Sequence, residues 1–395
     1  MYSSNAGPDM THRSANEPQP RATIPFNRPA LVGNEMEYVR DAIERGHISG
    51  DGTYTRRCEA LLSEVLGGAR VLLTTSCTHA LEMSALLLDV GPDDEFIVPA
   101  FTFSSTANAF VLRGARPLFV DVRPDTLNID AGLIEKAITP RTRAIVVVHY
   151  AGVACEMTSI LAIADARGIP VIEDNAHGLF GAYRGRPLGT WGAMSALSFH
   201  ETKNVFCGEG GALVLTDPSA VSRAEVLREK GTNRARFFRG EVDKYTWLDV
   251  GSSYVPSDML AAFLLAQLEK RSAVQSARRR IWERYRDELA EWASRKGIAL
   301  PVVPADSTPA YHLFHLLLPS LQERDAFIEH LRDHGVRAIF HYLPLHVSPM
   351  GERLGGRAGD CPVAESASDR IVRLPFFASM TNAEQSAVID AALAF

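Results

Sequence analysis

Lysine is scarce in this sequence, with six residues against 35 arginines. Ordinary cationic work therefore falls to arginine, and each lysine is a candidate for the one task arginine cannot do, which is to lose its proton. Cysteine is scarce too. The five residues (Cys58, Cys77, Cys155, Cys207 and Cys361) are odd in number, scattered and never in a CxxC pair. That pattern excludes a disulfide framework and a zinc site, and it points to a reducing cytoplasm. No apolar run reaches the roughly 18 residues that a membrane-spanning helix needs. A net charge of -6 and a pI near 6.1 leave no basic field for a nucleic-acid partner. Internal repeats are missing as well. The first 23 residues are polar and Pro-rich, lack the apolar core of a secretion signal, and are expected to form a loose tail.

The remainder has the makings of a large core, since 46% of the 395 residues are hydrophobic and 22% are charged. From residue 70 to 215, short β-rich runs alternate with helical stretches. RVLLTTS, DEFIVPA, ARPLFVD, TRAIVVVH, IPVIED, SALSF and GALVLT read as strands. Several are continuously apolar, as strands buried on both faces of a mostly parallel sheet must be. HALEMSALLLDV, DAGLIEKAI and SILAIADARG read as helices between them, which predicts a layered α/β domain. A single long helix is expected from Ser257 to about Trp292. Beyond it, AYHLFHLLLP reads as a strand and ERDAFIEHLRDHG as a helix. The expected division is a tail over 1–23, a large α/β domain over 24–260, and a linking helix with a smaller α+β domain over 261–395.

In such sheets ligands bind beyond the carboxyl ends of the strands, and three of those ends carry polar residues. In LLTTSCTHALEM a strand runs through Ser76, Cys77 and Thr78 into a helix, whose free N–H groups form an anion site. The same residues also serve as ordinary helix caps. VIEDNAHG places Glu173, Asp174 and His177 at the next end. A carboxylate there suits a heteroaromatic N–H⁺ such as the pyridinium of pyridoxal, or equally a helix cap or an internal ion pair. In SALSFHETKNVFCGEGGALVL, Lys203 follows a strand and precedes a glycine cluster. A lysine beside apolar strands suits a covalent amine catalyst, while an isolated lysine is also a common solvated charge. HETKN lacks the second histidine of HExxH, so no zinc protease motif is present. Read in chain order, an anion cradle, an acidic strand end and then a lysine match a pyridoxal phosphate site.

At this level the sequence resembles the fold-type-I, pyridoxal-phosphate-dependent sugar aminotransferases of the DegT/DnrJ/EryC1/StrS family, over about Ile24 to Phe395. The likeness is carried by IPFNRP, SGDGTYTRRCE, LLTTSCTHALEM, VPAFTFSSTANAFVLRGA, VHYAGVACEM, VIEDNAHG, SFHETKN, GEGGA, REKGTNRARFFRGEVDKYTW and FHYLPLH. It is nearest to enzymes that aminate C4 of a dTDP-4-keto-6-deoxyhexose with L-glutamate as donor. The resemblance implies Lys203 as the lysine that binds the cofactor, Asp174 on the pyridinium nitrogen, His177 on the ring oxygen and Phe103 stacked on the ring. It implies Ser76, Cys77, Thr78 and Ser198 around the phosphate, and Ser253 reaching that phosphate from the partner of a homodimer. Substrate contacts are expected from His149, Tyr150, Arg234, His341 and Tyr342. The Lys230–Trp247 stretch reads either as a nucleotide clamp or as an interface loop. Two other readings stay open, a nucleotide-sugar 3-aminotransferase and a non-catalytic binding protein on the same fold. A sugar dehydratase, in which His replaces the lysine, is set aside because Lys203 is intact.

Overall fold

The computed structural model describes residues 23–395. The tail expected over 1–23 lies outside the described residues except for Thr23. Seven strands form the central sheet: β1 (Arg70–Thr74), β2 (Glu95–Pro99), β3 (Arg116–Val120), β4 (Thr142–Val148), β5 (Val171–Asp174), β6 (Met194–Ser198) and β7 (Gly211–Leu215). Their order across the sheet is β1-β7-β6-β5-β4-β2-β3. Only β7 runs against its neighbours, antiparallel to both β1 and β6, and all other pairs are parallel. This is the mostly parallel α/β sheet that the continuous apolar runs predict, and each of the seven runs became one strand.

Both faces of the sheet are covered. Leu72, Phe96, Val146 and Leu213 pack against the helix Cys77–Leu87 on one side. Ile97, Ile145 and Val147 meet the helices Ala131–Ala137 and Met157–Asp165 on the other. Leu73, Leu197 and Val214 are sealed by the helices Thr53–Val65 and Asp258–Glu269. A separate core gathers Tyr285, Leu289, Phe314, Phe327 and Val388 in the C-terminal part. The chain start is stitched to it by an Ile24–Val336 bridge and by the Phe376 N–H, which donates to Phe26 O at 3.1 Å. No helix among the described residues is long and apolar enough to cross a membrane.

Two expectations need correction. The long helix over Ser257–Trp292 is in fact two helices, Asp258–Glu269 and Arg271–Lys296. They meet at Lys270, whose φ of -98° and ψ of 9° depart from helical values. The first is buried along most of its length and lies on the large sheet, whereas the second runs to the C-terminal core, so the axis must turn between them. The strand expected over AYHLFHLLLP pairs only at His315–Leu317. Its first half cannot join a ladder because its carbonyls are already claimed. Asn204 and Gln275 side chains donate to Ala310 O, and the Arg278 guanidinium donates to Tyr311 O and His312 O. Tyr311 also takes a left-handed φ of 50°.

Leu213 is fully buried between β1 and β6. Leu213→Ala should lower unfolding free energy by roughly 2–5 kcal/mol, read from urea denaturation. A loss under 1 kcal/mol would show that the sheet centre repacks.

Candidate active site

The reversed strand β7 creates the site. Its first residue, Gly211, is registered against Thr74 of β1 and Ser198 of β6 at once. The start of one strand thus meets the carboxyl ends of two others, and β5 delivers Asp174 one strand further on, opposite Ala196. Beyond Ser198 the chain loops out and closes on itself. The Phe199 N–H donates to Gly210 O at 2.8 Å, and the Cys207 N–H donates to Phe199 O at 2.9 Å. Lys203 sits within this closed loop, with its own N–H on His200 O at 2.9 Å. At the other side the helix Cys77–Leu87 begins at Ser76, whose Oγ accepts the His79 N–H at 3.1 Å. The capping reading therefore holds for the Ser76 side chain, while the Cys77 and Thr78 amides, in the first turn, have no intrahelical acceptor. The Thr78 hydroxyl donates to Ser105 Oγ at 2.8 Å. A Cβ on Gly211 would overlap Ser76 and the Cys77 nitrogen. Glycine is what lets the strand approach the helix end so closely.

Asp174 is buried and has no cationic partner among the described residues. Its Oδ2 accepts the Thr106 hydroxyl at 2.7 Å, its Oδ1 accepts the Ala176 N–H at 3.2 Å, and Cys77 Sγ lies 4.0 Å from Oδ1. Burial pushes this carboxyl up, against the pull of those hydrogen bonds and of the Lys203 and His149 charges. Burial pushes the Lys203 amine down to about 8, helped by the Arg373 charge and opposed by Cys77 and Asp174. His177 is held well below the usual imidazole range, by burial first and then by Lys203 and Arg373. It is thus neutral, and its Nδ1 has no partner among the described residues. The His177 ring stacks on His312 at 4.2 Å between centroids. His312 Nδ1 in turn meets Asn204 Oδ1 at 3.0 Å, one residue beyond Lys203.

Aromatic rings wall the other side. Tyr342 lies 3.5 Å from His341 between centroids and 6.3 Å from Phe103, which is 58% exposed at the head of the helix Ser104–Val111. Tyr150 is fully buried and shares a 2.8 Å hydrogen bond with His341 Nδ1, so it acts on the cleft through that ring. His149 does not face the cleft, contrary to expectation. It is 0% exposed, its Nε2 lies 2.8 Å from Glu173, and its Nδ1 accepts the Cys155 N–H at 3.2 Å, so both nitrogens are spent. Burial opposes a charge on this ring, but Cys155 and Glu173 outweigh it and push the ring up to about 10. The reason is strand alternation: adjacent residues Glu173 and Asp174 point to opposite faces, and His149 follows Glu173.

Arg234 and Ser253 also lie apart from Lys203 within the chain. Both line a cavity of about 950 Å³ whose walls include Arg56, Arg70, Arg228, Lys230 and Arg239 together with Asp51, Glu59, Glu225 and Glu229. Arg234 there pairs with Glu229 at 3.2 Å and lies over the Phe238 ring. No group of three or more His, Cys, Asp or Glu side chains among the described residues is placed to hold a metal ion.

Residues 29–393 match the DegT/DnrJ/EryC1/StrS aminotransferase family. The chain belongs to that family. It is 32% identical over 376 residues to the spore coat polysaccharide biosynthesis protein SpsC of Bacillus subtilis, covering 93% of this chain and 96% of that one. The aminotransferase TlmJ from Streptoalloteichus hindustanus superposes with a TM-score of 0.86 at 32% identity, covering 94% of this chain and 98% of the other. The Streptococcus pneumoniae protein Spr1654, solved in PLP and PMP forms, superposes at 0.87 with 26% identity over 94% and 98% of the two chains. The fold is that of a fold-type-I sugar aminotransferase, and the family depends on pyridoxal phosphate.

This aminotransferase has residues that fit the cofactor. The spare amides at Cys77 and Thr78 suit a phosphate, the unpaired Asp174 suits a ring N–H⁺, and the free His177 Nδ1 suits a ring oxygen. Thr106, His312 and Asn204 support these groups but were missed in the sequence, where they resemble ordinary helix and loop residues. Arg373 was missed too, because nothing in ASDRIVRLPF marks it.

Gly211→Ala should destabilise the fold by about 1–3 kcal/mol and weaken pyridoxal phosphate binding, both readable by denaturation and by absorbance. Unchanged cofactor binding would refute the cradle. In cofactor-free protein, the folded chain holds fewer protons at Lys203 than the unfolded chain between pH 8 and 10.5. Stability should therefore climb with pH across that window, and Lys203→Met should lack that climb. Equal slopes in the two proteins would contradict it.

Proposed function

We propose that this enzyme moves the amino group of L-glutamate to C4 of a dTDP-4-keto-6-deoxyhexose, giving a dTDP-4-amino-4,6-dideoxyhexose and 2-oxoglutarate, and that it works as a homodimer. The observation that carries the reading is the pairing of one buried lysine, its amine brought down to about 8, with a buried carboxylate that has no cationic partner. A lysine near that value is uncharged often enough near neutral pH to take and return protons.

Bound between Cys77, Asp174 and Lys203, pyridoxal phosphate supplies an electron sink for the carbanion formed at the donor's Cα. The chain does the rest. Lys203 Nζ removes the proton from Cα of glutamate and, in the return half, delivers a proton to C4 of the sugar. Asp174 would hold a proton on the ring nitrogen. His177 would hydrogen-bond the ring oxygen in its neutral form, adding no charge beside the reacting amine. Phe103 and Tyr342 would shield the ring from water, and the Cys77 and Thr78 amides with Ser198 would hold the phosphate.

The Lys230–Trp247 stretch supports the nucleotide-sugar acceptor, because its cations suit a diphosphate and its rings suit a base. It also supports the dimer. Phe238, Tyr245 and Trp247 are 70%, 54% and 78% exposed in the single chain, and such a patch marks an interface. In the dimer that face, with Ser253, would reach the partner's cleft. The name of SpsC, a polysaccharide biosynthesis protein, supports a sugar acceptor.

The deciding experiment is the visible spectrum of protein loaded with pyridoxal phosphate. A yellow band should fade with L-glutamate and return with dTDP-4-keto-6-deoxyglucose, and NMR of the product should place nitrogen on C4. Nitrogen on C3, or a band indifferent to both substrates, would overturn the reading. Lys203→Ala should still bind the cofactor while turnover falls by about 100-fold or more. Full activity from a monomer in sedimentation would remove the shared-site dimer.

A further inference from the structure

Asn204, the residue after Lys203, spends its whole side chain on the C-terminal part of the chain. It is 7% exposed. Its Nδ2 donates to Ala310 O at 2.7 Å and to Gln275 Oε1 at 3.0 Å, and its Oδ1 meets His312 Nδ1 at 3.0 Å. Gln275, on the helix Arg271–Lys296, also donates from Nε2 to Ala310 O at 3.2 Å. These partners lie 71 to 108 residues along the chain from Asn204, so the contacts are tertiary.

The directions of the bonds are not interchangeable. Ala310 O is a backbone carbonyl and only accepts, so the Asn204 atom that faces it must be the amide nitrogen. Oδ1 is therefore the acceptor, and His312 carries its hydrogen on Nδ1. Burial first, then the His177 and Lys203 charges, hold His312 well below the usual imidazole range. The ring is neutral, and its Nε2 bears a lone pair.

His312 passes this order on to His177. The two rings stack at 4.2 Å between centroids with 22° between their planes, closer than the 5.9 Å to Tyr150 or the 6.1 Å to His341. His177 Nδ1 has no hydrogen-bond partner among the described residues, so ring packing, with His312 nearest, sets how the imidazole lies. The backbone is tied at the same place. The Ala310 N–H donates to Gly152 O at 2.9 Å, and a Cβ on Gly152 would come within 2.8 Å of both Ala310 Cβ and His177 O. Lys203 and His177 follow different strand ends, β6 and β5. The segment from Ala310 to His312 touches both of their loops.

We propose that Asn204 is a positioning residue of the transamination site: its amide seats Lys203 and, through His312, orients His177, so that amine and imidazole keep one spacing for the cofactor. This rests on the aminotransferase reading for what the spacing serves, while the Asn204–His312 link stands on its own geometry. A misplacement of about 1 Å can cost about 100-fold in rate, which is the scale on which such a link acts.

The link is read first in cofactor-free protein, by nitrogen NMR of the His312 ring. Wild type should carry the hydrogen on Nδ1, and Asn204→Ala should lose that preference. A wild-type ring protonated on Nε2 overturns the proposal. In cofactor-loaded protein, Asn204→Ala and His312→Phe, which keeps a stacking ring, should each slow the limiting rate of bleaching by glutamate about 10- to 100-fold. The apparent dissociation constant for glutamate should stay put. The double variant should be no slower than Asn204→Ala alone, because both changes cut one link. Losses that multiply in the double variant overturn the proposal, and so does a dissociation constant that rises while the limiting rate holds. If Asn204→Ala fails to fold, Gln275→Leu with His312→Phe runs the same cycle, since Gln275 holds the far side of the same amide. Wild type that carries the Nδ1 hydrogen yet never bleaches with glutamate would remove the proposed donor. The cycle then reads the rate at which Lys203 takes up pyridoxal phosphate to form the yellow band, and the same outcomes decide it.

Discussion

The Glu173 carboxylate takes four hydrogen bonds with no exposure to solvent. Its oxygens accept the N–H groups of Gly189, Trp191 and Gly192 at 2.7–2.8 Å, and the His149 ring completes the set at 2.8 Å. Three of these partners lie on the loop that leads into β6 and the fourth follows β4, so one side chain ties β4, β5 and that loop together beneath the site. A buried carboxylate is tolerated only when its lone pairs are satisfied in this way. The result fixes the end of β5, and with it the direction in which Asp174 faces. It also turns His149 to the far side of the strand from Asp174.

Above that anchor the cleft is unbalanced in charge. Lys203 sits in it and the Arg373 charge reaches it, Asp174 is the one acid at its centre among the described residues, and the histidines around it are held neutral by burial and by those same cations. Cofactor and donor both bring negative charge. The site is preorganised for them in the sense that its dipoles and cations are already in place before they arrive. The neutral histidine stack adds polar edges without adding further repulsion to Lys203.

How much of this was legible in the sequence depends on the kind of signal. The strands were legible because burial on both faces leaves a continuous apolar run, and the three polar strand ends pointed to Ser76–Thr78, Asp174 and Lys203. The direction of β7 was not, since GALVLT reads the same whichever way it is threaded, yet that reversal builds the phosphate cradle. His149 was misplaced because a polar residue at a strand end does not announce its face; counting the alternation from Asp174 to Glu173 would have warned of it. The turn at Lys270 was hidden by good helix formers on both sides, and it follows from two cores competing for one axis. Arg373 and Thr106 become meaningful only through residues far away in the chain, which no local pattern records.

Gly211 sits at the junction of segments that are distant from one another along the chain, with Thr74 far before it on one side and Ser198 just before it on the other. Contacts of such separation pay their loop-closure entropy before they are rewarded, and so they form late. A chain emerging from the ribosome can complete β1 and its helix long before β7 exists to press against them. Until that strand inserts, the helix end at Cys77 has no opposing wall and β6 has no neighbour on that side. Affinity for the cofactor is therefore a property of the finished fold, and saturation with it would draw late folding intermediates toward the native state.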